Sequence, residues 1–403
     1  MKYCLSFLFC IQMLFTNLTP FAGSMISGYT FHQIQSESPS PSDAQLELSA
    51  PSAILMEAST GTILYEKNSH ELLRPASITK IMTLLLIFDA LEQGQISLTD
   101  TVTVSEYAAS MGGSQVYLEP GETQTVDSMI KCISIASAND ACVAMAEHIC
   151  GSEAEFVAQM NARAKGLGMN DTTFVNCCGL DVDGHMTTAY DVALMSRELS
   201  VKYPQIHDYS TIWMENITHT TRRGSSEFGL TNTNKLIRQY QYATGLKTGF
   251  TSLAKYCVSA TAVKDGMELI AVVMAAPDPK MRSSDATTML NYGFGKCRVY
   301  TDSNQDALPD LTVKKGVLAA VPLSYEGAFQ YVSTDGSDLS NITKKIELPD
   351  YAASPIKKGD IAGRAVYLLG DREIGSVSIL FAADVPSATL KDYFNKAFLY
   401  YLT

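Results

Sequence analysis

The sequence predicts an α+β body built on antiparallel strands, followed by a small all-β domain. Three observations carry that reading. Two apolar hairpin patterns, near residues 53–65 and 256–276, bracket a series of helical stretches. Those stretches are closed by capping residues and glycines. Past Cys297 the texture changes to short apolar pieces separated by Asp, Gly, Lys and Pro, none long enough for a good helix.

A chain of 403 residues has material for more than one hydrophobic core, and 46% hydrophobic with 18% charged residues is ordinary globular composition. A net charge of -12 argues against a nucleic-acid partner, whose phosphates need a basic surface. It leaves room for a ligand held in a locally basic cleft.

Residues 1–23 read as an export signal, with Lys2 at the positive end, an apolar stretch from Tyr3 to Leu18, and small residues at Ala22-Gly23-Ser24. A retained anchor is the alternative, but Gln12, Thr16 and Asn17 make a poor membrane core. Residues 24–49, rich in Ser and Pro, read as a flexible linker. Of the nine cysteines, Cys4 and Cys10 leave with the signal; the other seven sit in apolar surroundings that suit buried free thiols. Adjacent Cys177-Cys178 lacks the spacing of a zinc site.

Ala53–Met56 and Thr62–Tyr65 flank Ser59-Thr60-Gly61 as strand, turn and strand. A buried helix follows, opening near Pro75 and ending before Gly94. Thr125-Val126-Asp127 starts a helix that breaks at 134–137, and a second runs from Asn139 to Ile149 with Gly151 as its left-handed cap. Helices are also expected over 152–167 and 188–200. The segment 211–223 alternates only weakly. Tyr256–Val263 and Leu269–Ala276, joined by Asp265-Gly266, form the clearest hairpin. A short helix over 285–292 should be capped at Gly293 or Gly295. The body is thus 50–297, the β domain 298–386, and 387–403 a terminal amphipathic helix.

The chemistry is concentrated in three places. Ser77 and Lys80, three apart at the start of the buried helix, put an ammonium one turn from a hydroxyl, and a desolvated lysine can take a serine proton. Taken singly, the pair also fits a capping serine beside a surface lysine. Ser137-Ala138-Asn139 falls at a corner between helices, where a hydroxyl can hand on a proton and an amide can orient a lysine. Capping of the following helix is the plainer use. Lys247-Thr248-Gly249 precedes the hairpin, where cation and hydroxyl beside a glycine suit a carboxylate on an extended peptide. Strict alternation puts Lys247 and Thr248 on opposite faces, so both serve one site only if the strand twists or bulges.

Together the three form the ordered triple of the penicillin-recognising serine enzymes. The chain resembles the serine-type D-alanyl-D-alanine carboxypeptidases, the low-molecular-weight penicillin-binding proteins, densely from Ala53 to Gly295. The likeness also takes in Thr173-Phe-Val-Asn176, Thr231-Asn-Thr-Asn234, Leu290-Asn-Tyr-Gly-Phe and, more thinly, Pro355 to Asp360. The resemblance implies a transpeptidase/β-lactamase-like body with a central antiparallel sheet. It makes Ser77 the acylated nucleophile, Lys80 its base, Ser137 the proton shuttle and Asn139 the orienting amide. Lys247 tunes the field, Thr248 and Arg282 meet the terminal carboxylate, Gly249 permits close approach, and the N–H groups of Ser77 and Phe250 form the oxyanion hole. His185 matches a family position and is read as structural.

The family implies peptidoglycan stem peptides as substrates, β-lactams as covalent inhibitors, no cofactor and no metal. It also implies an extracytoplasmic location and peripheral membrane contact through the terminal helix. A class A-like β-lactamase and a catalytically silent cell-wall peptide binder are the alternatives. The sequence departs from the family at Ala138, where glycine is commoner, at Cys177-Cys178, where proline precedes histidine or threonine, and at Lys255, again a common glycine.

Overall fold

The computed structural model describes residues 46–221, 224–334 and 336–402. The expected export signal of residues 1–23 and most of the expected linker of 24–49 lie outside them. Residues 46–49 do not behave as linker. Leu48 is buried, Lys67 Nζ donates to the carbonyls of Leu48 and Ala50 (2.9 and 2.8 Å), and the Ser49 and Ala50 amides donate to Asp285. Alternate leucines at 46 and 48 supply the apolar face that the Ser/Pro-rich stretch before them lacks.

The body is a five-stranded antiparallel sheet with helices on both faces. Strands β1 (Ser52–Glu57) and β2 (Ile63–Lys67) make the expected hairpin. The chain then passes through a 3-10 turn (Ala76–Thr79) into α1 (Lys80–Glu92), buried on nearly every side. Helices α2 (Val126–Ser134), α3 (Asn139–Cys150), α4 (Glu153–Gly166) and α5 (Ala189–Lys202) follow. Thr125, Ser152 and Thr188 cap α2, α4 and α5 through their hydroxyls, and Gly151 closes α3 at φ 79°. These helices pack with one face of the sheet into the larger core.

Strands β3 (Met214–Thr221) and β4 (Gly224–Thr231) form a hairpin that weak alternation over 211–223 did not reveal. It stands apart from the sheet and is largely exposed, so few of its positions had to be apolar. After a short helix, α6 (Leu236–Gln239), come β5 (Ala243–Thr251), β6 (Lys255–Lys264) and β7 (Met267–Ala276). The order β2-β1-β7-β6-β5 leaves β5 on an edge. Lys255, in place of the common glycine, sits at φ 59°, a left-handed turn position that explains the glycine preference.

Helix α7 runs from Pro279 to Lys296, longer than expected at both ends. Asp278 caps it and Pro279 takes the first turn. Gly293 does not stop it. Its bare face lies against the core, where an added Cβ would meet Leu269 Cδ1 at 2.6 Å. This helix covers the sheet's second face.

From Arg298 the chain builds a separate core of short strands, the longest being Ile361–Leu369 and Arg372–Phe381. Tyr367, fully buried, stacks on Phe329 at 3.7 Å and donates its hydroxyl to Asn304 Oδ1. The terminal helix, α8, spans Leu390–Leu402. It begins after Ser387, because Gly316 bridges Ser387 and the Ala388 amide donates to Lys315, tying those residues to the β domain.

Candidate active site

The 3-10 turn carries Ser77 half-buried, one turn below a Lys80 that is fully buried. Ser77 caps nothing; the turn has no side-chain cap. Lys80 Nζ lies 2.9 Å from Ser77 Oγ, 2.7 Å from Asn139 Oδ1 and 2.7 Å from the Cys178 carbonyl. Asn139 Nδ2 donates to the Gly112 carbonyl at 2.6 Å, which fixes the amide with its oxygen toward Lys80. Both Asn139 Oδ1 and the Cys178 carbonyl can only accept. They therefore commit two hydrogens of the lysine amine, and the third tetrahedral position points at Ser77 Oγ. In the free amine that position is a lone pair, and the serine hydroxyl donates to it.

The third acceptor was hidden from the sequence because it is a backbone oxygen. Asn176 aims it: its Oδ1 accepts from the amides of Cys178, Gly179 and Leu180, folding 176–180 into a tight turn. Gly179 sits at φ 89°, and a Cβ there would collide with the Ala76 carbonyl. The turn thus rests directly on the nucleophile's backbone. Ala76 itself is left-handed at φ 47°, a conformation costing roughly 1–2 kcal/mol for a residue with a Cβ. The asparagine three before a glycine was the available signal for this turn.

Ser137 is a second strained position, at φ 62°. Neither it nor Asn139 caps α3, whose cap residue Ala138 makes no side-chain bond. Lys247 Nζ donates to Ser137 Oγ at 2.9 Å and to the Thr248 carbonyl at 3.1 Å. Lys247 is buried, not an exposed turn lysine, and burial first, then the positive Lys80 and Arg282, hold its pKa well below the lysine range. No bulge is needed at 247–248. The β5 register shifts earlier, between Ala243 and Gly245, and the two residues work from opposite sides of the strand. Lys247 supports Ser137, while Thr248 Oγ1 meets Thr233 Oγ1 at 2.9 Å on the cleft wall. Thr233, missed in the sequence reading, is held by its neighbours: Asn232 Nδ2 binds the Ser210 and Ile212 carbonyls, and Asn234 Nδ2 that of Gly245. Gly249 packs on the nucleophile's turn, its missing Cβ 3.0 Å from the Pro75 carbonyl and 3.1 Å from the Ser77 amide nitrogen.

These groups open on one cleft of about 790 Å³, lined by Ser77, Ser137, Thr248, Gly249, Phe250 and Arg282 among others. Phe250 is half-exposed and stacks on Tyr256 at 4.4 Å. Arg282, largely buried in the first turns of α7, has its Nη1 3.5 Å from the Cys257 carbonyl, the one side-chain hydrogen bond it makes among the described residues. Every cysteine among the described residues is a free thiol. Among the described residues, no Asp or Glu lines the cleft. Glu153, one carboxylate a β-lactamase reading would draw on, instead accepts from the Cys177 amide and the Tyr107 hydroxyl.

His185 holds the wall together. Its Nδ1 accepts the Val175 amide at 3.0 Å, so Nε2 carries the proton and donates to Thr79 Oγ1 at 2.8 Å. Its role is structural, directed at the loop before it and at the nucleophile's turn rather than at the helix after it.

A family model described as D-alanyl-D-alanine carboxypeptidase matches residues 37–278, and one described as the C-terminal domain of penicillin-binding protein 5 matches 302–387. The chain is 42% identical over 360 residues to the D-alanyl-D-alanine carboxypeptidase DacF of Bacillus subtilis, covering 89% of this chain and 90% of that one. It is 33% identical over 345 residues to DacC of Escherichia coli, covering 82% and 84%. Penicillin binding protein 5 of Haemophilus influenzae superposes with a TM-score of 0.69 at 28% identity, over 86% of this chain and all of that one.

The His185 contacts predict a pH dependence. Burial, aided by Arg74, lowers its pKa from 6.5 to about 4. The unfolded chain therefore binds more protons between those values. The stability contribution is fully present above pH 6.5 and is lost as pH falls through about 4, a difference of about 3 kcal/mol. Urea melts at pH 7, 5 and 4 should show this slope in the wild type and a flatter one in His185→Gln.

Proposed function

The chain belongs to the D-alanyl-D-alanine carboxypeptidase family, the low-molecular-weight penicillin-binding proteins, and from that premise we propose how its own residues divide the work. The activity is that of a serine-type D-Ala-D-Ala carboxypeptidase, acting outside the cytoplasm on peptidoglycan stem peptides through a serine acyl-enzyme.

In the proposed scheme Ser77 Oγ attacks the carbonyl of the penultimate D-alanine as Lys80 takes its proton. The observation that carries the assignment is the pairing of Lys80 Nζ with one reversible partner, Ser77 Oγ, and two obligate acceptors. The amides of Ser77 and Phe250 receive the oxyanion, fixed in place before charge develops. Ser137, held by Lys247, passes a proton to the leaving amine. Thr248, with Thr233 beside it and Arg282 at the cleft wall, receives the terminal carboxylate. Water then resolves the acyl-enzyme, and β-lactams act as substrate mimics trapped at the ester. Peripheral membrane contact through α8 belongs to the same proposal. What supports it is that Leu390, Phe394 and Phe398 are each about two-thirds exposed or more. No helix among the described residues is long and apolar enough to cross a membrane. Export by residues 1–23 completes the picture.

Ser77→Ala should abolish D-alanine release from a pentapeptide while the melting temperature stays near that of the wild type, since the hydroxyl caps nothing. Lys247→Ala should slow acylation about 100-fold, the scale of losing one fixed electrostatic donor. Stopped-flow acylation at the wild-type rate in that variant would remove Lys247 from the site. Deleting residues 390–403, beyond the contacts of Ser387 and Ala388 with the β domain, should abolish co-sedimentation with anionic liposomes and leave the melting temperature unchanged. A lowered melting temperature, with no lipid binding by the full chain, would make the helix structural.

A further inference from the structure

Cys177-Cys178, where the sequence departs from the family, lies in the turn that serves the general base. The Cys178 carbonyl is one of the two obligate acceptors of Lys80 Nζ. The peptide unit between the two cysteines is committed at both ends. Its carbonyl, that of Cys177, accepts from Thr83 Oγ1 at 2.5 Å, and its N–H, that of Cys178, donates to Asn176 Oδ1 at 3.2 Å. Ahead of it, the Cys177 amide donates to Glu153 in the first turn of α4 at 3.0 Å. Thr83 lies one turn beyond Lys80 on the same helix. The aim of the carbonyl on Lys80 is therefore set by the peptide unit just before it.

Both side chains are free thiols, buried and adjacent in the chain. The Cys178 thiol also approaches Asn176 Oδ1 at 3.6 Å. The Cys177 thiol first, and Lys80 after it, hold the Cys178 pKa down to about 7 against the effect of burial. A large share of that side chain is then thiolate at neutral pH, the form that reacts with oxidants. Every other described cysteine is shifted the opposite way: Cys132, Cys142, Cys150, Cys257 and Cys297 by burial, and Cys177 by Cys178 first. Burial of the pair admits only a small oxidant.

We propose that Cys177 and Cys178 are a reversible oxidation site for a small peroxide, and that closing their disulfide disables Lys80. The Cys178 thiolate attacks one oxygen of hydrogen peroxide, the O–O bond breaks, and the sulfur becomes a sulfenic acid. The Cys177 sulfur then displaces its hydroxyl, which leaves with the thiol proton as water. Overall, two thiols and one peroxide give one disulfide and two waters, with two electrons passing to the peroxide. Disulfides usually hold their Cα atoms roughly 4.4–6.8 Å apart, whereas neighbours across a trans peptide are about 3.8 Å apart. Closing the ring therefore twists the peptide between the cysteines. That pulls its carbonyl from Thr83 and its N–H from Asn176, and swings the Cys178 carbonyl off Lys80. With one acceptor lost, the amine no longer aims its free position at Ser77. The same strain makes the bond easy to reduce. An extracytoplasmic location sets the pair where disulfides persist. The inference rests on the assignment of Lys80 as the base.

The test treats the full chain, first reduced and then freed of reductant, with hydrogen peroxide. Peptide mass spectrometry locates the oxidation, and stopped-flow penicillin acylation reads the base. The wild type should form a Cys177–Cys178 disulfide and acylate about 100-fold more slowly. Dithiothreitol should restore the rate, which separates this bond from methionine sulfoxide, a product it does not reverse. Cys177→Ala, lacking the partner thiol, should acylate at the same rate before and after peroxide. Treated wild type that acylates at its untreated rate, or slows with its oxidation on other residues, would overturn the inference without recourse to the variant. Equal slowing of Cys177→Ala would overturn it too. Reduced wild type that fails to acylate on Ser77 would instead fault the Lys80 assignment itself, and the inference with it.

Discussion

The site depends on one buried amine. Lys80 Nζ is withdrawn from water, and a lysine so placed is tolerated only when its hydrogens are matched by acceptors. The fold supplies two from distant segments, Asn139 at the start of α3 and the turn at 176–180, and leaves the remaining position to Ser77 Oγ. Much of the surrounding structure can be read as holding those acceptors still. Asn176 folds the turn, Gly179 lets it rest on Ala76, His185 clamps it from behind, and Gly112 orients the Asn139 amide. The left-handed Ala76 and Ser137 are the conformational cost, of order 1–3 kcal/mol each, and both lie at the reacting groups.

Lys247 repeats the theme one layer away. It is buried beside Lys80 and Arg282, and burial first, then these neighbours, hold its pKa well below the lysine range. Its contacts are the Ser137 hydroxyl and the Thr248 carbonyl, so one side chain steadies both the proton-passing serine and the strand edge. The edge strand is close-packed against the nucleophile only because Gly249 has no side chain there. Two lysines, two serines and one glycine thus come together from three parts of the chain, which explains why the sequence shows them as widely separated short motifs.

Periodicity and capping chemistry made most elements legible: the β1–β2 and β6–β7 hairpins, the buried α1, and the helices that open near Thr125, Ser152 and Thr188. The failures have physical causes. The β3–β4 hairpin is solvated on most of its surface, so its alternation is blurred. Helix α7 runs through Gly293 because the glycine there serves packing against Leu269, which a breaker rule cannot foresee. Residues 46–49 dock because two leucines end an otherwise polar segment. At the site, the side chains of Ser77, Lys80, Ser137, Asn139 and Lys247 were legible as residue types in order, and the structure brings them together. The Cys178 carbonyl was not, since any residue offers the same oxygen; nor was Thr233, whose place is set by two asparagines binding remote carbonyls. The second wall of the cleft comes from a helix on the far side of the sheet, and only the fold brings it near Ser77.

The central claim is that Lys80 activates Ser77. Its most direct test is to react wild type and Lys80→Gln with a labelled penicillin, follow acylation with time, and locate the adduct by peptide mass spectrometry. The account predicts a single adduct on Ser77 in the wild type and acylation slowed about 1,000-fold in the variant, within the range that general-base catalysis contributes. An adduct on another residue, or acylation of the variant at the wild-type rate, would contradict it.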